Sequence, residues 1–244
     1  YLATLGRLLP AAADGWVAGL FLRFAGLDDN ARVDLGIMYD GGAATRAYLL
    51  ARVLIGLPSL TEPLVRVEVA ALGVWDQARD EYELRAALVN SRAFGGELTG
   101  EALMFSGDPD RDDGRDERVR LMSIGGFHPR YVTPGPMIRV PERVALVIEK
   151  GDHLRLECRA YLAVTAGALH AGIEASLLAR FAGFGIRGNL GFDALFSPSL
   201  EFAVAIRVGV ALYLGSRQLL GASFEGEFGV VSEDRFPTTY LRGR

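Results

Sequence analysis

Leu200-Glu201-Phe202-Ala203-Val204-Ala205-Ile206-Arg207-Val208-Gly209-Val210-Ala211-Leu212-Tyr213-Leu214 alternates with a period of two along its whole length. Every even-numbered position is large and apolar, and the positions between are charged, small or tyrosine. A helix gathers residues three and four apart on one side, whereas in a strand every second side chain shares a face. The stretch therefore predicts one long β-strand with an apolar side.

The neighbouring runs carry that face outward through short loops, because a slip of one residue would turn a whole apolar set to the other side. A three-residue loop, Ser197 to Ser199, sets Phe196 opposite Leu200, Ala194 opposite Phe202 and Phe192 opposite Val204. A second three-residue loop, Gly215 to Arg217, sets Leu212 opposite Leu220, Val210 opposite Ala222 and Val208 opposite Phe224. Upstream, a two-residue turn at Ala166 and Gly167 sets Val164 against Leu169, Leu162 against Ala171 and Ala160 against Ile173. Five residues from Glu149 to His153 join Ile148 to Leu154 and Leu146 to Leu156, and four from Ala182 to Gly185 join Phe181 to Ile186. Residues 143 to 230 thus read as one antiparallel meander. On the opposite face the same register sets Arg207 across from Glu225 and Asn189, and Arg159 across from Glu174. Facing opposite charges contribute only about 0.2 to 1 kcal/mol each, so they serve as a check on pairing.

The first half predicts strands at Trp16 to Ala25, Arg32 to Tyr39, Arg46 to Leu57, Leu64 to Val74, Tyr82 to Asn90, Glu97 to Phe105 and Arg118 to Gly125. Asp40 and Gly41 mark a tight turn, residues 107 to 117 a polar insertion, and Ala3 to Leu9 a short helix. Pro129, Pro134, Pro136 and Pro141 interrupt pairing, so residues 128 to 142 are a seam inside one β-rich unit spanning 1 to 244. The fold expected is all-β: an extended, curled antiparallel meander of long strands, arranged as a groove, a sandwich or an open barrel. A strand of about 13 residues is near 45 Å long, and a wide sheet of such strands has to curl over or be covered on its apolar face. Small residues at Ala203, Ala205, Gly209 and Ala211 leave room for cover on the second face too.

Composition narrows the function. Half of the 244 residues are hydrophobic, 23% are charged and one is cysteine, which excludes a disordered tail and a disulfide-stapled miniprotein. With 26 basic against 30 acidic residues the net charge is -4, without the basic footprint of a nucleic-acid binder. The longest apolar run, Ala160 to Ile173, stops at Glu174, short of the roughly 18 to 20 residues of a spanning helix. The chain opens on Tyr1 with no basic, apolar leader pattern and is expected to be a piece of a longer protein, its compartment left open.

The chemical motifs have plain structural readings. Gly183-Phe184-Gly185-Ile186-Arg187-Gly188 has the spacing of a dinucleotide-binding motif, but an alternating strand follows it instead of the helix a phosphate needs. Asp108 to Glu117 has spaced acids, but Arg111 and Arg115 sit among them and the calcium-loop glycine and closing glutamate are out of place, so a solvated hairpin tip is expected. His128, His153 and His170 show no metal-ligand spacing, and Cys158 shares the apolar face of Leu154 and Leu156 as a core residue. No cofactor or metal is expected. The densest segment is Ile124-Gly125-Gly126-Phe127-His128-Pro129-Arg130-Tyr131. It reads as a corner where Gly125 and Gly126 permit close approach, Pro129 ends the ladder, and His128 or Arg130 satisfies nearby carbonyls.

The stretch Ser123 to Tyr131, with Ala160-Tyr161-Leu162-Ala163-Val164-Thr165 and Gly188-Asn189-Leu190-Gly191-Phe192-Asp193-Ala194-Leu195-Phe196, resembles the large bacterial proteins of domain-of-unknown-function family 6603. Ala86 to Arg92 followed by Leu98-Thr99-Gly100 is similar to the family's pattern as well, so the likeness covers roughly residues 50 to 230. The turn at Ala166-Gly167 departs from the family's asparagine-rich one. The resemblance implies a long β-rich chain and carries over no catalytic residue.

The function expected is a noncatalytic structural or binding module of a large bacterial multidomain protein, its partners the neighbouring domains of the same chain. Phe127, His128 and Arg130 at the corner, and Phe192, Val204, Val208 and Phe224 on the apolar strip, are its candidate binding residues. Three alternatives use the same features. A lipid-binding or lipid-transfer groove lays the strip against acyl chains or another apolar ligand. An outer-membrane-type barrel suits the strand lengths and glycine content but lacks an aromatic girdle. An enzyme of unknown reaction uses His128.

Overall fold

The computed structural model describes residues 17–25, 30–41, 45–109, 118–135, 138–197, 202–233 and 236–243, and all of its regular structure is β. The helix expected at Ala3 to Leu9, Trp16 and most of the polar insertion lie outside the described residues. In chain order the strands are β1 (Val17–Ala25), β2 (Ala31–Asp40), β3 (Arg46–Leu57), β4 (Val65–Asp76), β5 (Glu81–Leu88), β6 (Ser91–Ala93), β7 (Gly96–Thr99) and β8 (Glu101–Gly107). They continue as β9 (Val119–Ile124), β10 (Val144–Lys150), β11 (Leu154–Thr165), β12 (Leu169–Phe181), β13 (Phe184–Phe196), β14 (Phe202–Leu214), β15 (Arg217–Glu233) and β16 (Phe236–Gly243). All belong to a single antiparallel sheet whose main path runs β1-β2-β3-β4-β5-β8-β9-β11-β12-β13-β14-β15-β16. Among the described residues no pairing joins β1 to β16.

The sheet divides in its middle. Between β4 and β11 the main path β5-β8-β9 is accompanied by a second band, β6-β7-β10, which pairs with the remaining ends of the same two long strands. The strand expected from Glu97 to Phe105 is accordingly cut at Gly100, where φ is +145° and a side chain would stand 2.7 Å from the Val144 backbone. Its first part serves one band and its second part the other. On β11, Ala160 faces Val144 of β10 and Leu162 faces Ile124 of β9. Tyr161 therefore lies where β11 changes neighbour, and residues 125–143, the expected seam, leave the sheet at that point.

From β10 to β15 every consecutive pair is antiparallel, as the alternation predicts. The pairs Val164↔Leu169, Leu162↔Ala171, Ala160↔Ile173 and Arg159↔Glu174 form as expected. Three registers differ by two residues. Phe181 faces Phe184 instead of Ile186, because Ala182 and Gly183 (φ 47° and 85°) make a two-residue turn with both residues left-handed. Ile148 faces Leu156 instead of Leu154, and Phe196 faces Phe202 instead of Leu200. The last shift sets Arg207 against Gly191, and Asn189 against Gly209. A shift of two keeps each side chain on its face, so the apolar strip survives all three corrections. Leu212↔Leu220, Val210↔Ala222, Val208↔Phe224 and Arg207↔Glu225 form as expected, though through a two-residue turn plus a bulge at Leu212/Tyr213.

Cover falls on the side opposite to the strip. Leu103, Phe105, Leu121, Phe127, Ile138 and Ala163 form the buried cluster, beneath the excursion of residues 125–143 on the small and polar face. The even-numbered strip is aligned but left open, with Val208 44% and Phe224 56% exposed, so the expected water-excluded surface is not closed by the described residues. Cys158, expected in a core there, is only half-buried.

Candidate functional site

The corner begins where β9 ends. Gly125 (φ 73°) and Gly126 (φ 92°) turn the chain out of the sheet in a conformation that other residues rarely adopt. A side chain on Gly125 would collide with the Ala160 carbonyl and stand 2.9 Å from the Val144 amide. Ser123 Oγ donates to the Gly126 carbonyl at 2.7 Å and fixes the exit. Expectation and structure part over the next carbonyls. Arg143, not His128 or Arg130, satisfies them, donating to Gly125 O at 3.0 Å and to Phe127 O at 2.8 Å. The same guanidinium lies 3.7 Å above the Tyr161 ring centroid, a cation–π contact that joins the start and the return of the strap to the sheet.

Below the strap, polar groups are paired with one another. Tyr161 crosses Gly172, whose missing side chain leaves room for the ring, and donates to Asp193 Oδ1 at 2.7 Å. The second carboxylate oxygen, Asp193 Oδ2, accepts from Arg207 at 2.5 Å. Asp193 is 4% exposed, so this pairing keeps a buried charge from standing alone. Burial, and then the bond to Asp193, push the Tyr161 phenol well above its ordinary range, and it stays protonated at neutral pH. Beside the network lies a polar cleft of about 330 Å³ lined by Glu157, Arg159, Glu174, Ser176, Asn189 and Arg207.

His128 and His170 meet on the other side of Tyr161. His170 has no exposed surface, and its Nδ1 accepts from the His128 amide at 3.3 Å. The neutral ring then carries its proton on Nε2, which has no hydrogen-bond partner among the described residues. Tyr131 stands edge-on to it at 4.6 Å between centroids, and Phe127 at 6.0 Å. Burial first, and then His128, push His170 down to about 4, and burial lowers His128 as well. Both imidazoles are neutral at pH 7. His128 Nδ1 accepts from the Arg130 amide at 3.1 Å, and the Arg130 side chain pairs with Glu227 of β15 at 2.6 Å, tying the strap to a distant strand. Among the described residues no three His, Cys, Asp or Glu side chains converge to hold a metal ion.

The structure thus separates the candidate residues into two groups. Phe127, His128 and Arg130 are parts of the strap on the polar face. Phe192, Val204, Val208 and Phe224 lie on the opposite face, on β13, β14 and β15, with Val208 directly facing Phe224. Sequence reasoning missed His170, Tyr161, Asp193 and Arg143. The available signal was parity: Tyr161, His170 and Asp193 all occupy the face opposite to the one that most large apolar residues of β11, β12 and β13 share.

The comparison with family models matches residues 1–231 to a family of unknown function, DUF6603. The chain belongs to that family. The match takes in the strap, the network and the apolar strip, and it extends the likeness seen in the sequence toward the amino-terminal end. No curated protein and no solved structure matches this DUF6603 chain.

Proposed function

We propose that the chain is a noncatalytic structural and binding module of a large bacterial multidomain protein, which offers its apolar sheet face to neighbouring domains of the same protein. One observation carries this reading. From Leu154 to Val230, every side chain that β11, β12, β13, β14 and the paired even positions of β15 place on that face is apolar. Rows such as Leu162–Ala171–Ala194–Val204–Phe228 cross all five strands without a polar group. At about 4.8 Å between strands and 3.3 Å per residue, this part of the face covers roughly 800 Å². Monomers rarely expose contiguous apolar patches beyond a few hundred Å², and larger ones mark interaction surfaces. The enclosed, neutral histidines and the self-satisfied Tyr161–Asp193–Arg207 network support a structural role for the strap.

The test places a thiol on the face with Val208→Cys in a Cys158→Ser background. Alkylation is expected to run about tenfold slower in the longer protein than in residues 1–244 alone, since covered sites react only through local opening. Equal rates in the two would overturn the reading. A lipid groove is the second reading, favoured by the lack of any polar anchor on the strip, because acyl chains need no hydrogen bonds. Mass spectrometry of freshly purified protein separates the two: copurified acyl lipid together with a protected thiol in residues 1–244 alone assigns the face to lipid.

A further inference from the structure

The arginines on the polar face of β11 to β14 differ in what they meet. Arg155 and Arg159 both pair with Glu157, Arg155 also with Glu149, and Arg207 with Asp193 and Glu174. Arg180 and Arg187 have no carboxylate partner among the described residues. Both border one cleft of about 680 Å³, at the end of the sheet where β12 turns into β13 and β14 into β15. Gly185 lies between Arg180 of β12 and Tyr213 of β14. It is buried yet uncrowded, since a side chain there would come no closer than 3.6 Å to Tyr213 and 3.9 Å to Arg180. Arg187, two residues along the same face, holds its guanidinium 4.9 Å from the Tyr213 ring centroid, a cation–π contact that orients the group. The rim is stitched together by main chain: the Arg180 amide donates to the His153 carbonyl and the Gly215 amide to the Gly183 carbonyl, each at 2.7 Å. Among the described residues Asp152 is the one carboxylate that lines the cleft. The neighbouring cleft around Glu157 and Arg207 neutralises its own charges, and this one keeps its positive charge.

We propose that this cleft is a binding site for a phosphate monoester, with Arg180 and Arg187 holding the phosphate above Gly185. A guanidinium offers a planar fork of donors that fits phosphate oxygens. Two of them in one cleft match the nearly double charge of a phosphate monoester at neutral pH better than the single charge of a carboxylate. The cleft is of a size that takes a small molecule, and Leu178 and Phe184 line it beside the arginines, so the organic part of the ester has apolar contact. A soluble ester and a lipid headgroup present the same phosphate chemistry. Gly183 to Gly188 remains a hairpin turn and strand here, because the positive charge comes from side chains and not from a helix terminus. The arginines stand on the polar face, so the site is independent of whatever covers the apolar one.

The Nε–Hε nuclear magnetic resonances of Arg180 and Arg187, followed in residues 1–244 during titration with phenyl phosphate, test the proposal. A saturable shift of both is expected, half complete at about 1 mM, with no such shift from sodium chloride at matched ionic strength. Arg180→Gln and Arg187→Gln change exposed side chains and leave the fold intact, and each is expected to weaken binding about tenfold. Asp152→Asn removes the opposing charge and is expected to tighten it about threefold. Flotation with phosphatidylcholine vesicles, with and without about one-fifth phosphatidic acid, separates the two sources. Capture by the acidic vesicles alone, lost in the double arginine variant, assigns the phosphate to a lipid headgroup, and phenyl phosphate binding without capture assigns it to a soluble ester. Equal affinity for benzoate would overturn the choice of phosphate. Failure of both probes to bind, or undiminished binding by the double variant, would overturn the site.

Discussion

The two faces of β11 and β12 differ by one step along the same chain. Tyr161, Ala163 and His170 are buried under the strap, while their neighbours Leu162, Val164 and Leu169 are more than 40% exposed on the other side. The greasier face is the open one. Cover is decided by where the excursion of residues 125–143 can cross, and it crosses where Gly172, Ala163 and Ala205 keep the sheet low. Crossing there buries polar groups, and most are matched, Tyr161 and Arg207 to Asp193 and the strap carbonyls to Arg143, while His170 Nε2 has no hydrogen-bond partner among the described residues. The opposite face makes little such demand, since across β11 to β14 its side chains are apolar and the charges of Lys150 and Arg217 stand at its rim, opposite Leu154 and Leu214. A module can therefore leave its more hydrophobic side for a partner while building its own core on the more polar one.

The largest way to break this contrast is to deny the strap its exit. Gly125 and Gly183 both have left-handed φ, +73° and +85°, but only Gly125 is crowded, and nothing lies within 4 Å of a side chain built on Gly183. Gly183→Ala should therefore cost about 1 to 2 kcal/mol, the price of the backbone conformation. Gly125→Ala adds overlap with the Ala160 carbonyl and should cost more than about 3 kcal/mol. Urea unfolding of both variants measures the difference, and equal losses would mean that close approach at Gly125 does not hold the strap.

Acid acts next, and on the covered side alone. His170 titrates near its ordinary 6.5 in the unfolded chain but at about 4 when folded, because burial disfavours its charged form. Between those values the unfolded chain binds the proton and the folded chain does not. Stability is thus fully present above about pH 6.5 and is lost as the pH falls toward 4, by about 3 kcal/mol for this ring. His128, lowered by burial as well, acts in the same direction. Asp34, which Arg23 and Arg32 hold below the usual carboxylate range, contributes only at still lower pH. Unfolding midpoints measured from neutral pH downward should fall through this window, and His170→Phe should flatten the fall. A profile unchanged by that substitution would place the acid sensitivity elsewhere.

Much of the open face was legible in the sequence, because period-two alternation is a local signal and registers wrong by two residues leave it intact. Phe192, Val204, Val208 and Phe224 could be placed together for that reason. The strap was legible only in outline: Gly125, Gly126 and Pro129 announce a corner, but not the face it crosses. The Tyr161–Asp193 bond joins residues 32 apart and depends on two intervening registers and on the empty space at Gly172. The split middle of the sheet was hidden for a similar reason, since β6 and β7 are three and four residues long and too short to show a period.

The smallest expected effect sharpens the comparison most. Val208→Thr keeps the shape of the side chain and exchanges a methyl for a hydroxyl, which water can reach if the face is open in solution as it is in the structure. Its cost to residues 1–244 should then stay within about 0.5 kcal/mol, as at other exposed positions. Ala163→Thr, on the covered side at 1% exposure, adds volume and an unpaired hydroxyl beneath the strap and should cost about 1 to 3 kcal/mol. Both are read from the same urea transitions. A loss of about 2 kcal/mol at Val208 would mean that the chain buries this face by itself, through self-association or a retained ligand, because an exposed hydroxyl has no other route to so large a penalty. The concentration dependence of the transition midpoint then separates those two causes, since only self-association makes the midpoint rise with protein concentration.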